Sequence, residues 1–315
     1  MRILLLLLAF WTVTVHAQAY PSRAVRMLVG FTPGGGTDIM ARLLAPKLSE
    51  YLGQQFVVEN RPGAATNIAT EMVARAAPDG YTLLFTTASM AINASLYKNL
   101  PFDVQRDLAT VSALSQSPNV LVVHQSTARD VGELVKSARA RPGALNYSSA
   151  GPGTTQHLAA ELFKMRTGTF IVHIPYRGTA PSLTALIAGE VQLSFANIPA
   201  IIGHVKSGRL RPLAIAGEKR SELMPDVPTL KEAGIDGVEV PVWYGLLAPA
   251  ATPRDIVGIL AEASMRAAKS PDLRQRLVEQ GAEPLGSTPE EFGRTLREDI
   301  AKWAEVVKAS GARPE

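Results

Sequence analysis

Residues 25–52 read VRMLVGFTPGGGTDIMARLLAPKLSEYL, and this stretch decides the fold class. Val25 to Phe31 is a mostly apolar run of buried-strand length. Met40, Leu43, Leu44, Leu48 and Tyr51 then recur at helical spacing between Thr37 and Leu52, with Gly53 as a C-terminal stop. Pro46 inside that helix is expected to kink or loosen its first turns. Between strand and helix stands Phe31-Thr32-Pro33-Gly34-Gly35-Gly36-Thr37-Asp38. Its glycines permit positive φ and close approach of a ligand. The free N–H groups and positive end of the helix favour an anion there. Asp38, in the first helical turn, complements the dipole and argues against a bare phosphate. A Walker lysine and the G-x-G-x-x-G spacing are both missing. Alone, such a turn is as often structural as functional.

The same alternation continues outward. Strands are expected at Phe56–Glu59, Tyr81–Thr86, Val120–His124, Leu145–Ser148, Ile171–Ile174, Val191–Phe195 and Leu210–Ala216. Helices are expected at Asn67–Ala76, Val131–Ala140, Thr155–Met165 and Ala180–Ala188. The pattern predicts a largely parallel sheet covered on both faces. The tail changes character, with helices at Pro253–Ala268, Pro271–Gln280 and Pro289–Ser310. No Gly/Ser-rich tether separates two halves, so any two lobes would be joined by strands or tight loops, as at a hinge.

A second strand–turn–helix junction, Ser148-Ser149-Ala150-Gly151-Pro152-Gly153-Thr154-Thr155, repeats the logic of the first. Hydroxyls and glycine N–H groups can satisfy a carboxylate without a buried counter-charge. Two such turns suggest two walls of one cleft at the carboxyl ends of strands. Thr86-Thr87-Ala88-Ser89 is a third candidate and reads equally as a polar loop. Arg177, after the strand expected at Ile171–Ile174, has a guanidinium that can fork a carboxylate, although a solvated loop charge is the plainer reading.

Composition removes several function classes. Arg2, the apolar run Ile3–Val15 and Ala17-Gln18-Ala19 form a signal peptide over residues 1–19, cut after Ala19 or Ala17. No later segment has the roughly 20 apolar residues of a membrane crossing. The chain has no cysteine, so disulfides, thiol chemistry and cysteine metal sites are excluded. Without Arg2 the 32 basic residues become 31 against 28 acidic, a net of +3. No Lys/Arg block interleaved with aromatics points to nucleic acid. His124, His157, His173 and His204 show no metal-ligand spacing, and no cofactor motif is present. Ser149 and His157 would be the nucleophile and base of a hydrolase, but nothing supplies a third member at a recognisable spacing. Trp243 and Tyr244 read as core aromatics.

With these segments in view, the mature chain resembles the substrate-binding receptors of tripartite tricarboxylate transporters, the Bug family, from Tyr20 to about Ala309. The resemblance rests on YPSRAVRMLVGFTPGGGTDIMARLLAPKLSEYLGQQFVVENRPGAA, ARAAPDGYTLLF, YSSAGPGTTQHLAAELF, HIPYRGTAPSLTALIAGEVQLSF and SGRLRPLAIAGEKRSELMPDVPTLKEAG. It implies an α/β type II periplasmic-binding-protein fold, two lobes with mixed sheets flanked by helices. The hinge would be crossed near Val120 and Val242, giving lobe 1 as residues 20–120 with 243–315 and lobe 2 as 121–242. By match, Thr32, Gly34, Gly35, Gly36 and Asp38 would form one wall, flanked by Thr87, Ala88 and Ser89. Ser149, Ala150, Gly151, Gly153, Thr154 and Thr155 would form the other, with Tyr176 and Arg177 nearby. Three departures from the family pattern stand out: Gly30 in place of a proline, Ala65-Thr66-Asn67 in place of glycines, and Ala196-Asn197 in place of an acidic residue. Thr66, Asn67 and Asn197 therefore become candidates for specificity. The expected function is capture, without catalysis, metal or cofactor, of a small organic acid or acidic amino acid by a monomeric periplasmic receptor that serves a membrane permease. A ligand-occupied subunit presenting itself to a membrane sensor kinase, a secreted hydrolase using Ser149 and His157, and a ligand-free adhesion or structural protein are the alternatives.

Overall fold

The computed structural model describes residues 20–314, so the signal peptide expected over residues 1–19 lies outside it. The first strand shows why its sequence forms one. In β1 (Val25–Val29), Val25, Met27 and Val29 pack into one apolar cluster and Leu28 into another. Arg26 reaches outward to Glu59, with Nε–Oε1 at 2.8 Å. This is the period-two alternation of a strand buried on both faces. The chain continues through α1 (Gly36–Leu52), β2 (Phe56–Asn60), a 3-10 turn at Ala64–Thr66, α2 (Asn67–Ala74), β3 (Thr82–Thr87), α3 (Ser89–Leu96), α4 (Val104–Asp107) and β4 (Leu108–His124). Next come α5 (Val131–Ala140), β5 (Asn146–Ser149), α6 (Thr155–Thr167), β6 (Val172–Pro175), α7 (Thr179–Ile187), β7 (Leu193–Asn197), α8 (Ile198–Lys206) and β8 (Leu210–Ala216). It closes with β9 (Pro241–Pro249), α9 (Arg254–Lys269), α10 (Pro271–Glu279), β10 (Glu283–Pro284) and α11 (Pro289–Ser310).

Strand order is β2-β1-β3-β9-β4-β7-β5-β6, with β8 and β10 also paired to β4. β2, β1 and β3 are parallel, as are β6, β5 and β7, whereas β4, β9, β8 and β10 pair antiparallel. The sheet is thus mixed rather than largely parallel. The long strand β4 is the reason. Its Leu108–Pro118 part pairs with β9, ending at Pro118↔Pro241, and its Asn119–His124 part pairs with β7 and β8. Val120–His124 is the only part visible as an apolar run. Upstream, Ser112, Ser115 and Ser117 are buried on the strand, with Ser112 Oγ donating to Ser287 O at 2.8 Å and Ser117 Oγ to Gly281 O at 3.0 Å.

Helices cover the sheet. α1 packs on α9 and α10, while α11 lies against α3, β4 and α6. Met40, Leu44 and Leu48 of α1 are fully buried, each contributing about 1.5–3 kcal/mol of apolar transfer. α1 runs unbroken through Pro46. Trp243 and Tyr244 are core residues of β9, and the Trp243 indole donates to Asp299 Oδ2 at 2.6 Å.

Candidate functional site

At the carboxyl ends of the strands, five helix N-termini meet around one small void. Thr37 comes from the first turn of α1, Ser89 from the start of α3, Thr155 and Gln156 from α6, Thr179 from α7, and Asn197 from the cap of α8. Thr87, Thr154 and Ala150 complete the polar side, and Phe31 and Val242 supply apolar wall. The void is closed down to about the size of one water molecule. No ionisable side chain lines it. Each helix brings unpaired N–H groups and the positive end of its dipole.

Side-chain hydrogen bonds aim further donors inward. Gln156 Oε1 accepts from Ala150 N–H at 2.8 Å, which fixes the carboxamide. Its Nε2 therefore donates to Thr179 Oγ1 at 2.9 Å, and the Thr179 hydroxyl hydrogen is left to point elsewhere. Likewise Thr87 Oγ1 accepts from Ser89 N–H at 3.3 Å and donates to Ser89 Oγ at 3.1 Å, so the Ser89 hydroxyl hydrogen is free to donate. Both chains end in a donor on the wall of the void. An acceptor-only group, such as a carboxylate, suits that wall.

The first turn is held from outside the void. Asp38 is buried, and its carboxylate accepts from Gly34 N–H, Arg42 Nε and Asn60 Nδ2 at 2.9–3.0 Å. Asn60 Nδ2 also donates to Phe31 O at 2.9 Å. Burial alone would raise the Asp38 pKa, but the hydrogen bonds from Arg42, Gly34 and Asn60 outweigh it and hold the carboxyl below its usual range. Asp38 is thus a fastener of the turn and not part of the wall. Of the three consecutive glycines only Gly34 has positive φ, at 80°. Gly35 is the helix N-cap with φ −78°, and a β-carbon there would stand 3.5 Å from Thr179.

In the second turn Thr154 caps α6, accepting from His157 N–H at 3.3 Å and donating to Gly151 O at 2.7 Å. Gly151 and Gly153 have φ of 118° and 84°. Ser149 Oγ accepts from Gly151 N–H at 3.1 Å and lies 2.7 Å from His173 Nε2. The histidine beside Ser149 is therefore His173, not His157. His157 stacks on His173 with ring centroids 4.5 Å apart, and its Nδ1 accepts from Gly153 N–H at 3.2 Å. Burial, with His173 and Lys164 close by, pushes the His157 pKa down to about 3, so its ring is neutral. Ser149 is fully buried and does not line the void.

The remaining expectations divide. Thr87, Ser89, Ala150, Thr154, Thr155 and Asn197 meet at the void, with Ala88 buried as the N-cap of α3. The Thr86–Ser89 segment is the end of β3 and the start of α3, not a polar loop. Thr66 and Asn67 stand behind α3 and off the wall, where Asn93 Nδ2 donates to Asn67 Oδ1 at 2.8 Å and Ala65 O at 2.7 Å. Thr66 has φ 83°, and a β-carbon on Gly30 would lie 2.6 Å from its Cα, so two of the departures from the family pattern fit each other. Tyr176 is half-buried against the α7–α8 cluster, and Arg177 is exposed away from the wall. Thr37, Gln156 and Thr179 are wall residues that the sequence reading did not single out; their signal was a helix start after a glycine turn.

A wider, open hollow lies between Arg129–Gly132 and Asp226–Pro228. There the Asp130 carboxylate caps α5 and Arg129 pairs with Glu133, so it lacks convergent free donors.

The description "tripartite tricarboxylate transporter family receptor" matches residues 40–312 of the chain. Protein BugT of Bordetella pertussis is 38% identical over 302 residues, covering 95% of this chain and 93% of that protein. The R. palustris protein Rpa4515, solved with adipate, superposes with a TM-score of 0.91 at 38% identity over 94% of this chain and 100% of its own. MatC of Rhodopseudomonas palustris, solved with bound malate, gives a TM-score of 0.88 at 32% identity over 91% and 100%.

Proposed function

We propose that this chain, which belongs to the tripartite tricarboxylate transporter receptor family, captures a small organic carboxylate in the periplasm and hands it to a membrane permease. The family and its fold are those of solute-binding receptors. The observation that carries the ligand class is the wall itself: five helix N-termini and two directed hydroxyls, with no acidic side chain among them. Such a surface attracts an anion and offers an ammonium group no carboxylate to pair with. The proposal therefore favours organic acids over amino acids. Neighbours solved with adipate and malate support it.

The course of β4 supports a two-lobed reading. Its register passes from Pro118↔Pro241 to Asn119↔Asn197, and Asn119 Nδ2 donates to Val240 O at 3.2 Å, tying the two crossing points together. Lobe 1 is then residues 20–120 with 243–315 and lobe 2 is 121–242, with the void between them. Residues 1–19 act as the export signal, and no described helix is long and apolar enough to cross a membrane. The receptor works as a monomer.

Calorimetry on residues 20–315, unfolded and refolded to strip carried-over ligand, tests the proposal. The panel is mono-, di- and tricarboxylates, aromatic acids and acidic amino acids. Micromolar binding of an organic acid with no product formed is the expected result. Binding of acidic amino acids in preference, or silence across the panel, would defeat it.

A further inference from the structure

We infer that three buried oxygens, Thr32 Oγ1, Asn93 Oδ1 and Asn197 Oδ1, set how tightly the receptor holds its ligand by opposing closure of its two lobes. The inference rests on the two-lobed reading above. None of the three oxygens has a hydrogen-bond partner among the described residues. Each abuts a glycine: Thr32 Oγ1 faces Gly178, Asn93 Oδ1 faces Gly153, and Asn197 Oδ1 faces Gly36. In each pair a β-carbon on the glycine would stand well inside van der Waals contact distance of the oxygen. Every pair also joins the proposed lobes, with Thr32, Asn93 and Gly36 on one side and Gly178, Gly153 and Asn197 on the other. Among the described glycines these are the three whose β-carbon would strike an oxygen.

Backbone conformation accounts for glycine at 153 and 178, where φ is 84° and 127°. It does not account for Gly36, the first residue of α1, whose φ lies outside the left-handed region. What Gly36 provides is room for the Asn197 carboxamide. The contact is fitted, yet an oxygen against a Cα–H makes only a weak bond. A buried acceptor without a donor forfeits its hydration. Opening the lobes returns water to all three oxygens, so each one biases the ligand-free receptor toward the open state. A ligand then closes the lobes by its greater affinity for the closed form. Thr32 and Asn93 lie off the wall of the void, so they act through closure alone.

The chain has no cysteine, so Met72→Cys on α2 and Lys136→Cys on α5, both exposed, place one spin label on each lobe without background. Distances are measured in the stripped, ligand-free protein. Thr32→Val keeps the shape and removes the acceptor, and it raises the ratio of short to long distances about tenfold, equivalent to about 1.4 kcal/mol. Gly36→Ala removes the short-distance population while thermal stability holds, because alanine is the better helix former. Gly36→Ala with Asn197→Ala restores that population. An unchanged distribution in Thr32→Val, a single short distance in the ligand-free parent, or a closed population surviving in Gly36→Ala overturns the inference. The readout needs no ligand, so a silent calorimetry panel counts against the carboxylate reading alone.

Discussion

Asp38→Asn separates a fastening carboxylate from a ligand-facing one. The substitution is nearly isosteric and removes the charge. In the wild type both oxygens are taken, Oδ2 by Gly34 N–H and Arg42 Nε, Oδ1 by Arg42 Nε and Asn60 Nδ2. An asparagine retains one acceptor, and its new amide meets a donor whichever way it turns. Losing one charge-assisted hydrogen bond and weakening the others amounts to about 2–3 kcal/mol. The exposed half of Arg42 discounts its share. In a chain of this size the loss lowers the melting temperature by about 5 °C. The folded-state pKa of Asp38 is depressed, so its contribution is present above the unfolded-state pKa and is lost as pH falls through the folded value. The stability gap between wild type and variant is therefore full at neutral pH and narrows as acid protonates Asp38. Melting curves across pH, with calorimetry at neutral pH, give the answer. A carboxylate facing the ligand would repel an anion, and its neutralisation would tighten binding without loss of stability. That result, or an unchanged melting temperature at pH 7, would refute the fastening role.

Thr179→Val should weaken carboxylate binding about tenfold, through loss of one directed donor to a charged group, with the fold intact by circular dichroism; unaltered affinity puts that hydroxyl outside the contact. Arg177→Ala should leave affinity within about twofold, since the guanidinium is exposed and off the wall; a larger loss in titration brings Arg177 back to the ligand. Gly30→Ala should destabilise by about 1–3 kcal/mol, because its methyl would meet the Thr66 backbone at 2.6 Å. Thr66→Gly in the same chain should return part of that stability by freeing the segment to move. Urea titration showing a neutral Gly30→Ala would mean the 64–66 turn yields without cost.

What could be read in advance follows from how far each residue's partner lies along the chain. β1, the glycine turn and α1 are legible because an apolar strand and an amphipathic helix carry their own periodicities. α3 was hidden because Ser89–Asn93 are all buried, which leaves no polar face to mark a helix. The first part of β4 was hidden because its buried serines find partners about 165–175 residues away. The glycine-rich turns announced a site, but not which side chains face it. Asp38 looked like wall until Asn60, at the end of β2, was seen to claim it. Gln156 is an α6 residue whose part in the site appears only in its two bonds, which tie Ala150 to Thr179. Ser149 had two histidines to choose from, and only strand register decides: β5 and β6 pair Ser148 with Ile174, which brings His173 alongside.

Binding a carboxylate with helix ends instead of a fixed cation has a consequence for release. A lysine or arginine in the void would have to be desolvated each time the lobes closed, and would be left as an unpaired buried charge in the closed, empty form. Helix termini carry partial charges that belong to the backbone and are preorganised, so closing over them demands less. On the inference above, the opposing contribution comes instead from three neutral oxygens whose loss of hydration is individually modest. On the proposed reading, affinity is a small difference between donors that reward a ligand and acceptors that penalise closure. A permease then needs only to favour the open arrangement slightly to collect its cargo. The Thr32 oxygen touches no part of the void, so its removal would shift that balance while leaving the choice of ligand unchanged.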